Sequence, residues 1–247
     1  MLFEGLYQED VIAAIQALAR PGRTVFDVGG HHGLMAIVSA RAVGSHGKVV
    51  TFEPNPQSCK ILQDNCRLNC IDNIRIEPVA LSDREGETRF FAQQGDVTWN
   101  SSIIREFATQ AGRDEVVEFT VPLTALDAYV QCTHMVPNVL KIDAEGAEIM
   151  ILRGAQKTIE QHRPALVMEF NPESAQAAGV RISDIVRWLQ DLGYSLTVLR
   201  PNPFWRYSFH CREEFSEQLH CVDALCNVVC EAGGNSTPTL GPTATSN

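Results

Sequence analysis

Short apolar runs alternate with helix-length amphipathic segments through the first third of the chain. The runs at residues 24–28, 48–52 and 74–78 have the length and composition of buried strands, and the segments 34–43 and 56–69 between them have helical spacing. Consecutive parallel strands need a crossover of this kind, with the helices packed on the faces of the sheet. The pattern therefore predicts an α/β fold built on a parallel sheet.

The same alternation returns in the second half of the chain and extends the predicted sheet. The predicted elements there are strands at 139–142 and 165–170, helices at 145–161 and 182–192, and a terminal antiparallel pair formed by 194–199 and 206–209.

Residues 83–120 interrupt this alternation. Strands predicted at 88–92 and 116–121 flank a polar, irregular segment, which we interpret as an insertion or lid. The other predicted boundaries are an N-terminal helix within 1–22, a main domain over 23–210, a cysteine-rich segment over 211–232 and a disordered tail over 233–247.

Composition narrows the class of protein. The chain has 247 residues, of which 45% are apolar, which suits a single domain with a substantial core. Its formal net charge of −10 argues against broad binding to a nucleic-acid backbone. We find no run of the roughly 20 apolar residues that a membrane span needs, and the acidic start lacks the basic region of a signal peptide. We therefore expect a cytoplasmic protein whose cysteines are mostly reduced.

A glycine-rich turn follows the first predicted strand. The segment runs Asp27-Val28-Gly29-Gly30-His31-His32-Gly33 and precedes a predicted helix. In open α/β sheets, ligands bind outside the carboxyl ends of the strands, and glycines there allow a tight turn and a close backbone approach. The third glycine of a dinucleotide fingerprint is missing. A nucleotide site and a ligand-free turn both remain compatible with this segment alone.

Glu53 ends the next predicted strand, 20 residues after Gly33. A carboxylate at this place can accept hydrogen bonds from both ribose hydroxyls of a nucleoside. The alternative is a solvated acid that precedes a helix capped by Asn55. Because the glycine fingerprint is incomplete, the combination favours S-adenosylmethionine over a dinucleotide as the adenosine ligand.

Acidic residues crowd the ends of two later strands. Asp143, Glu145 and Glu148 lie within six residues, and Glu169 ends the following strand. Such crowding is costly unless a cationic group meets it, as the ammonium and sulfonium of S-adenosylmethionine would. Lys141 is predicted to point away from Asp143. Glu145 and Glu148 are also compatible with a plain first helical turn, whose dipole favours acids.

The motifs taken in order resemble those of FkbM-type methyltransferases. DVGxxxG, FEPNP, ALSD, LDAYV, LKIDAEGAE with ILRGA, and RPALVMEF follow one another between Thr24 and Asn171, and LKIDAEGAE…LRGA is the most specific block. The resemblance implies a class I methyltransferase (Rossmann-like) sheet of about seven strands, with the last strand antiparallel and helices on both faces. It also implies methyl transfer from S-adenosylmethionine, generally to a hydroxyl of a sugar or natural product.

The resemblance also assigns roles to residues of this chain. The methionine end of the cofactor would lie along the glycine turn, the ribose on Glu53 and the adenine beside the ALSD motif. Many relatives have Ala-Asn where this chain has Gly30-His31-His32. A histidine therefore replaces an asparagine contact or faces the substrate, or the two histidines are plain residues at the start of a helix. The predicted cofactor-binding residues are Asp27, Gly29, Gly30, His31, Gly33, Glu53, Pro54, Asn55, Ala80, Leu81, Ser82 and Asp143.

Removal of a hydroxyl proton needs a base near the reacting oxygen. The predicted catalytic residues are Asp143, Glu145, Glu169 and His32. No metal ligand set is predicted, and a divalent cation on Asp143, Glu169 and Asn171 is a less favoured alternative.

Two other functions remain open at this point. One is an NAD-type oxidoreductase that uses the same edge of the sheet, and the other is a non-catalytic adenosine-binding module. The C-terminal cysteines lack a CxxC pair, which argues against zinc. Trp99 to Ser102 fits recognition of a small-molecule acceptor as well as it fits a surface loop. The acceptor and the oligomeric state are not indicated.

Overall fold

The computed structural model describes residues 8–93, 101–109, 116–177, 179–199, 213–214 and 226–233. The strands are β1 (Thr24–Val28), β2 (Lys48–Phe52), β3 (Ile74–Glu77), β4 (Ala80–Ser82), β5 (Gly86–Gln93), β6 (Val116–Ala125), β7 (Val139–Ile142), β8 (Ala165–Phe170), β9 (Tyr194–Leu199), β10 (Glu213–Glu214) and β11 (Cys226–Ala232). The helices are α1 (Glu9–Leu18), α2 (Leu34–Val43), α3 (Pro56–Leu68), α4 (Arg105–Thr109), α5 (Leu126–Thr133), α6 (Glu148–Gly154), α7 (Gln156–His162), α8 (Pro172–Ala177) and α9 (Ile182–Asp191).

The main sheet has the strand order β10-β9-β11-β8-β7-β1-β2-β3 within the described residues. Neighbouring strands from β8 across to β3 are parallel, whereas β11 is antiparallel to both β8 and β9. The predicted sheet, with its last strand antiparallel, is confirmed, and the two-residue β10 adds an outer edge. The order reverses between β7 and β1, which is the switch point where such sheets bind ligands.

Helices cover both faces of this sheet. On one face, α1 and α2 bury Val11, Ile15 and Met35 against the strand residues Val25 and Val167. On the other face, α5, α6, α7 and α9 pack over a larger core, whose fully buried members include Phe26, Phe52, Leu140, Met168 and Ile159. Within the described part of the chain, no helix has the length and apolar character needed to cross a membrane.

A second, three-stranded sheet is formed in the region predicted as an insertion. Its order is β4-β6-β5, with β4 parallel and β5 antiparallel to the central β6. Phe90, Val121 and Leu123 form its small apolar core. Beyond the gap at 94–100, Ser102 returns to pair with Phe91, which brings the following residues to the carboxyl edge of the main sheet.

The single helix predicted over 145–161 is wrong, because two short helices occupy this region. The Glu148 carboxylate accepts hydrogen bonds from the amides of Ala144 and Gly146, which holds the preceding residues in a loop. The break comes after Gly154, where a β-carbon would lie 1.9 Å from the carbonyl oxygen of Ser82. Close packing against β4 thus overrides helical propensity.

The strand that pairs with β9 also differs from expectation. Residues 226–232, predicted to lie in a separate cysteine-rich segment, form β11 between β8 and β9. Val228 and Cys230 in this strand are fully buried. The predicted strand at 206–209, the tail beyond residue 233 and the cysteines of 211–221 lie outside the described residues.

Candidate active site

A cavity of about 210 Å³ lies at the carboxyl ends of β1, β2 and β7, beside the switch point. Its walls come from the turn after β1, the end of β2, the loop after β7, the start of α1 and the returning segment around Ser102. The predicted site residues that line it are Gly29, Gly30, His31, His32, Glu53, Pro54, Ala80, Leu81, Asp143 and Glu145. Asp27, Gly33, Asn55, Ser82 and Glu169 are not among the lining residues.

The glycine turn brings the backbone of β1 against its two neighbouring strands. Gly29 has a φ of +80°, and a β-carbon on it would lie 1.8 Å from the carbonyl oxygen of Asp143. A β-carbon on Gly30 would lie 2.0 Å from Oγ1 of Thr51. Only glycine fits these close approaches. Strand packing alone therefore accounts for the glycines of the motif, and both glycines also line the cavity.

Glu53 is held in one orientation at the end of β2. Its Oε2 accepts a hydrogen bond of 2.7 Å from the amide of His31, and its Oε1 accepts one of 2.8 Å from the amide of Asn55. Burial, opposed by these two hydrogen bonds, raises the pKa of this carboxyl to about 7. Each carboxylate oxygen has two acceptor sites, so both oxygens can also accept from a vicinal diol.

Asn55 has a structural task. Its Oδ1 accepts a hydrogen bond of 2.9 Å from the amide of Gln57 and so caps α3, which has Pro56 in its first turn. The cap anticipated in the sequence is present. Since the side chain is buried and lies outside the cavity wall, it supports Glu53 through its amide and leaves the cavity to Pro54.

A buried ion-pair network lies below the cavity. Nζ of Lys141 is 3.2 Å from Oδ1 of Asp27 and 3.7 Å from Oδ2 of Asp143, and it donates to the carbonyl oxygen of Gly29 at 3.2 Å. Burial raises the pKa of Asp27, against the lowering effect of Lys141. The prediction that Lys141 points away from Asp143 is wrong, because positions two apart on a strand face the same side.

Glu145 lies in the loop between β7 and α6 and lines the cavity. Its backbone is left-handed, with a φ of 49°, a conformation that is strained for a residue with a side chain. Burial, reinforced by the charges of Asp143 and Glu148, raises the pKa of this carboxyl to about 8. A carboxyl group with this pKa exchanges its proton near neutral pH and is suited to acid–base chemistry.

The acids around Glu145 are not equivalent. Glu148 is buried and accepts hydrogen bonds from two loop amides and from Oγ of Ser174, so it organises the loop. Glu169 is half-buried outside the cavity wall, and burial together with the charge of Asp143 raises its pKa to about 8. Oδ1 of Asn171 accepts hydrogen bonds from the amides of Glu173 and Ser174 at the start of α8.

These roles bear on the cation alternative. Among the described residues, no three His, Cys, Asp or Glu side chains are arranged to hold a metal ion. Asn171, one of the ligands considered, is committed to the start of α8.

His31 and His32 form a stacked pair at the cavity wall. Their ring centroids are 3.7 Å apart at an interplanar angle of 22°. Burial, with the charges of His32 and Lys141, lowers the pKa of His31 to about 4, and burial also lowers the pKa of His32. Both rings are therefore neutral at pH 7. Nε2 of His32 is buried without a hydrogen-bond partner among the described residues, so it can serve a ligand.

Two residues of the site were not singled out from the sequence. Nε2 of Gln8, just before α1, donates a hydrogen bond of 3.2 Å to Oδ2 of Asp143. Oγ of Ser102 donates one of 2.7 Å to the carbonyl oxygen of Glu145. No local pattern marks Gln8, whereas Ser102 belongs to the Trp99 to Ser102 segment already noted for its small polar donors.

The sheet order, its inserted antiparallel strand and a cavity flanked by a fixed carboxylate and an acidic loop define a class I methyltransferase. More narrowly, this chain belongs to the FkbM methyltransferase family, since the Methyltransferase FkbM domain matches residues 27–196. The family makes the chain a methyltransferase and implies S-adenosylmethionine as methyl donor, so the alternatives of an oxidoreductase and of a non-catalytic module fall away.

Individual relatives agree with this assignment. The hexuronic acid methyltransferase AglP of Haloferax volcanii is 24% identical over 196 residues, which are 79% of this chain and 73% of that protein. The structure of the methyltransferase FkbM from Methylobacillus flagellatus KT matches with a TM-score of 0.53 and 14% identity, over 84% of this chain and 43% of that one. A putative rRNA methylase from Clostridium thermocellum gives a TM-score of 0.52 and 11% identity, over 89% and 92%. These two structures support the fold alone, and this chain spans less than half of the Methylobacillus protein.

Proposed function

We propose that this chain is an S-adenosylmethionine-dependent O-methyltransferase that acts on a hydroxyl group of a sugar or natural product. The observation that carries the proposal is the pairing of Glu53 and the Asp143–Glu145 loop across one cavity, with the glycine turn between them. Glu53 suits a ribose diol, and the acidic loop suits the cationic end of the same ligand.

The strand order supports one direction for the bound cofactor. Glu53 follows β2, the glycine turn follows β1 and Asp143 follows β7, and these strands are neighbours in that order. A nucleoside whose ribose binds Glu53 would extend its amino-acid end over Gly29 towards Asp143. Ala80 and Leu81 would supply an apolar wall for the adenine. When bound, the cofactor supplies an activated methyl group.

The remaining task of the protein is to hold the acceptor oxygen in line and to remove its proton. Glu145 is the proposed base, because it lines the cavity and has a pKa near the working pH. His32 is proposed to position the acceptor hydroxyl through its unpartnered Nε2. Asp143 would meet the cofactor's ammonium group, and Glu169 would add to the negative charge behind it.

A carbohydrate acceptor has independent support from the relatives. The Haloferax volcanii protein is named for hexuronic acid, a sugar with both hydroxyl and carboxyl groups. The neutral imidazoles of His31 and His32 can accept or donate hydrogen bonds to a polyol without adding charge.

The proposal is tested in two stages. Calorimetric titration should show binding of S-adenosylmethionine and of S-adenosylhomocysteine, with NAD as the negative control. Transfer of a labelled methyl group is then measured on a panel of neutral sugars, uronic acids and polyhydroxylated natural products, with Asp143→Asn as the inactive control. Binding of NAD without S-adenosylmethionine, or label found only on a carboxylate, nitrogen or carbon atom, would refute the proposed reaction.

A further inference from the structure

Gln8 connects the N-terminal helix to the proposed cofactor site. It precedes α1, which is anchored to the sheet by the buried side chains of Val11, Ile15 and Leu18. Gln8 has a left-handed backbone, with a φ of 52°, and its side chain does not cap the helix. Instead its amide nitrogen donates to Oδ2 of Asp143, 135 positions away in the chain, and the residue lines the cavity.

The place of this contact identifies which part of the ligand it would meet. A ligand with its ribose on Glu53 has its amino-acid end beside Asp143, at the far side of β1. That end carries an ammonium group, which suits the Asp143 carboxylate, and also a carboxylate. A carboxylate placed beside Asp143 and Glu145 needs a hydrogen-bond donor, since burial of an unpaired charge is costly.

The two donors nearest to Asp143 differ in what they can offer. Lys141 is buried, with 5% of its side chain exposed, and it is bound to Asp27, Asp143 and a backbone carbonyl. Gln8 has an amide nitrogen with two N–H groups, of which one is directed at Asp143. The second N–H can donate to a ligand carboxylate at this end of the cavity, which Gln8 lines.

We propose that Gln8 binds the amino-acid end of S-adenosylmethionine, donating to its carboxylate while it holds Asp143 for the ammonium group. This inference rests on the proposed function. It makes α1 part of the cofactor site, although α1 lies outside the matched FkbM domain of residues 27–196. Because a ligand stabilises the parts of a protein that bind it, cofactor binding would then also stabilise the packing of α1.

The test compares two ligands that differ at this end only. S-Adenosylhomocysteine has the nucleoside and the amino acid, whereas 5′-methylthioadenosine has the same nucleoside without the amino acid. Dissociation constants are measured by calorimetry for the wild type, Gln8→Ala, Gln8→Glu and the matched control Gln16→Ala, an exposed glutamine of the same helix.

Gln8→Ala should weaken S-adenosylhomocysteine about tenfold or more, since hydrogen bonds to charged groups are worth about 1.5–3 kcal/mol. Gln8→Glu should weaken it further, because a carboxylate there would repel both Asp143 and the carboxylate group of the ligand. Neither variant should change the binding of 5′-methylthioadenosine by more than about twofold, and Gln16→Ala should match the wild type for both ligands. Hydrogen exchange of the α1 amides should slow with S-adenosylhomocysteine and stay unchanged with 5′-methylthioadenosine.

The outcomes separate the two proposals. Equal losses for both ligands would mean that Gln8 acts on the fold rather than on the amino-acid end, and unchanged binding of S-adenosylhomocysteine would mean that Gln8 does not contact it. Either result overturns the role of Gln8 and leaves the proposed function standing. A wild-type chain that binds neither S-adenosylmethionine nor S-adenosylhomocysteine overturns the proposed function itself.

Discussion

Replacing Lys141 with methionine should remove the positive charge shared by the buried carboxylate of Asp27 and the partly exposed carboxylate of Asp143. The side chains of Lys141 and Asp27 are 5% and 1% exposed, and their ion pair measures 3.2 Å. Removing one member of a buried ion pair costs about 3–5 kcal/mol, because the partner's charge remains without compensation. Methionine keeps the length of the side chain, so the loss should come mainly from the uncompensated charge and not from lost packing. We therefore expect the free energy of unfolding near pH 8 to fall by most of this amount.

The loss should depend on pH in a defined direction. Burial already raises the pKa of Asp27 above its ordinary value, and Lys141 opposes the shift, so Lys141→Met should raise this pKa further. A buried acid with a raised pKa costs stability when ionised, and this cost disappears as pH falls towards the pKa of the unfolded chain. Urea unfolding at pH 8 and pH 5 should therefore show a smaller difference between variant and wild type at pH 5.

Two controls bound the interpretation. Lys60→Met breaks the exposed pair between Lys60 and Asp64, at 3.6 Å with 80% and 47% of the side chains exposed, and should change stability by less than about 1 kcal/mol. Adding Asp27→Asn to Lys141→Met should restore part of the loss, because no uncompensated charge then remains on that side. A loss equal to that of Lys60→Met, or one of the same size at both pH values, would refute the electrostatic account.

Three further predictions concern the site itself. Glu145→Gln should lower the turnover number about 100-fold or more and leave the Kd for S-adenosylhomocysteine unchanged. Wild-type turnover should rise as pH increases through about 8, where the carboxyl group of Glu145 loses its proton. A flat pH profile would exclude Glu145 as the base. Glu53→Gln should weaken the binding of S-adenosylhomocysteine and of 5′-methylthioadenosine equally, by about tenfold, because both ligands share the ribose that Glu53 is proposed to bind. Calorimetry measures both dissociation constants. Gly29→Ala should lower the unfolding free energy by about 3 kcal/mol, since its β-carbon would lie 1.8 Å from the carbonyl oxygen of Asp143. The control Gly22→Ala has the same φ of about +80° but open space around it, and should cost about 1–2 kcal/mol. Equal losses in urea unfolding would contradict the packing argument.

The sequence predicted what depends on local periodicity. Strands β1, β2, β7 and β8 and helices α2 and α9 lie close to their predicted positions, because each has a strong apolar pattern of its own. Glu53 was placed at the end of a strand by the same reasoning.

The parts that the sequence did not predict depend on contacts between distant residues. β11 forms a strand because it pairs with both β8 and β9, which come earlier in the chain. From its composition alone, this segment is interpreted as part of a cysteine-rich stretch. The break between α6 and α7 follows from the approach of Gly154 to Ser82, 72 positions earlier in the chain. No sequence pattern identifies Gln8 as a site residue, since its partner Asp143 follows β7, 135 positions away in the chain.

The strained loop around Glu145 is held in part by Ser102, which lies 43 positions earlier in the chain. A left-handed residue with a side chain persists only where its surroundings fix it, and here the fixing comes from two sides. Glu148, at the start of α6, accepts hydrogen bonds from the amides of Ala144 and Gly146, and Oγ of Ser102 donates one to the carbonyl oxygen of Glu145. The segment that contains Ser102 also lines the cavity. Any change that moves Ser102 should therefore shift Glu145 together with this part of the cavity wall.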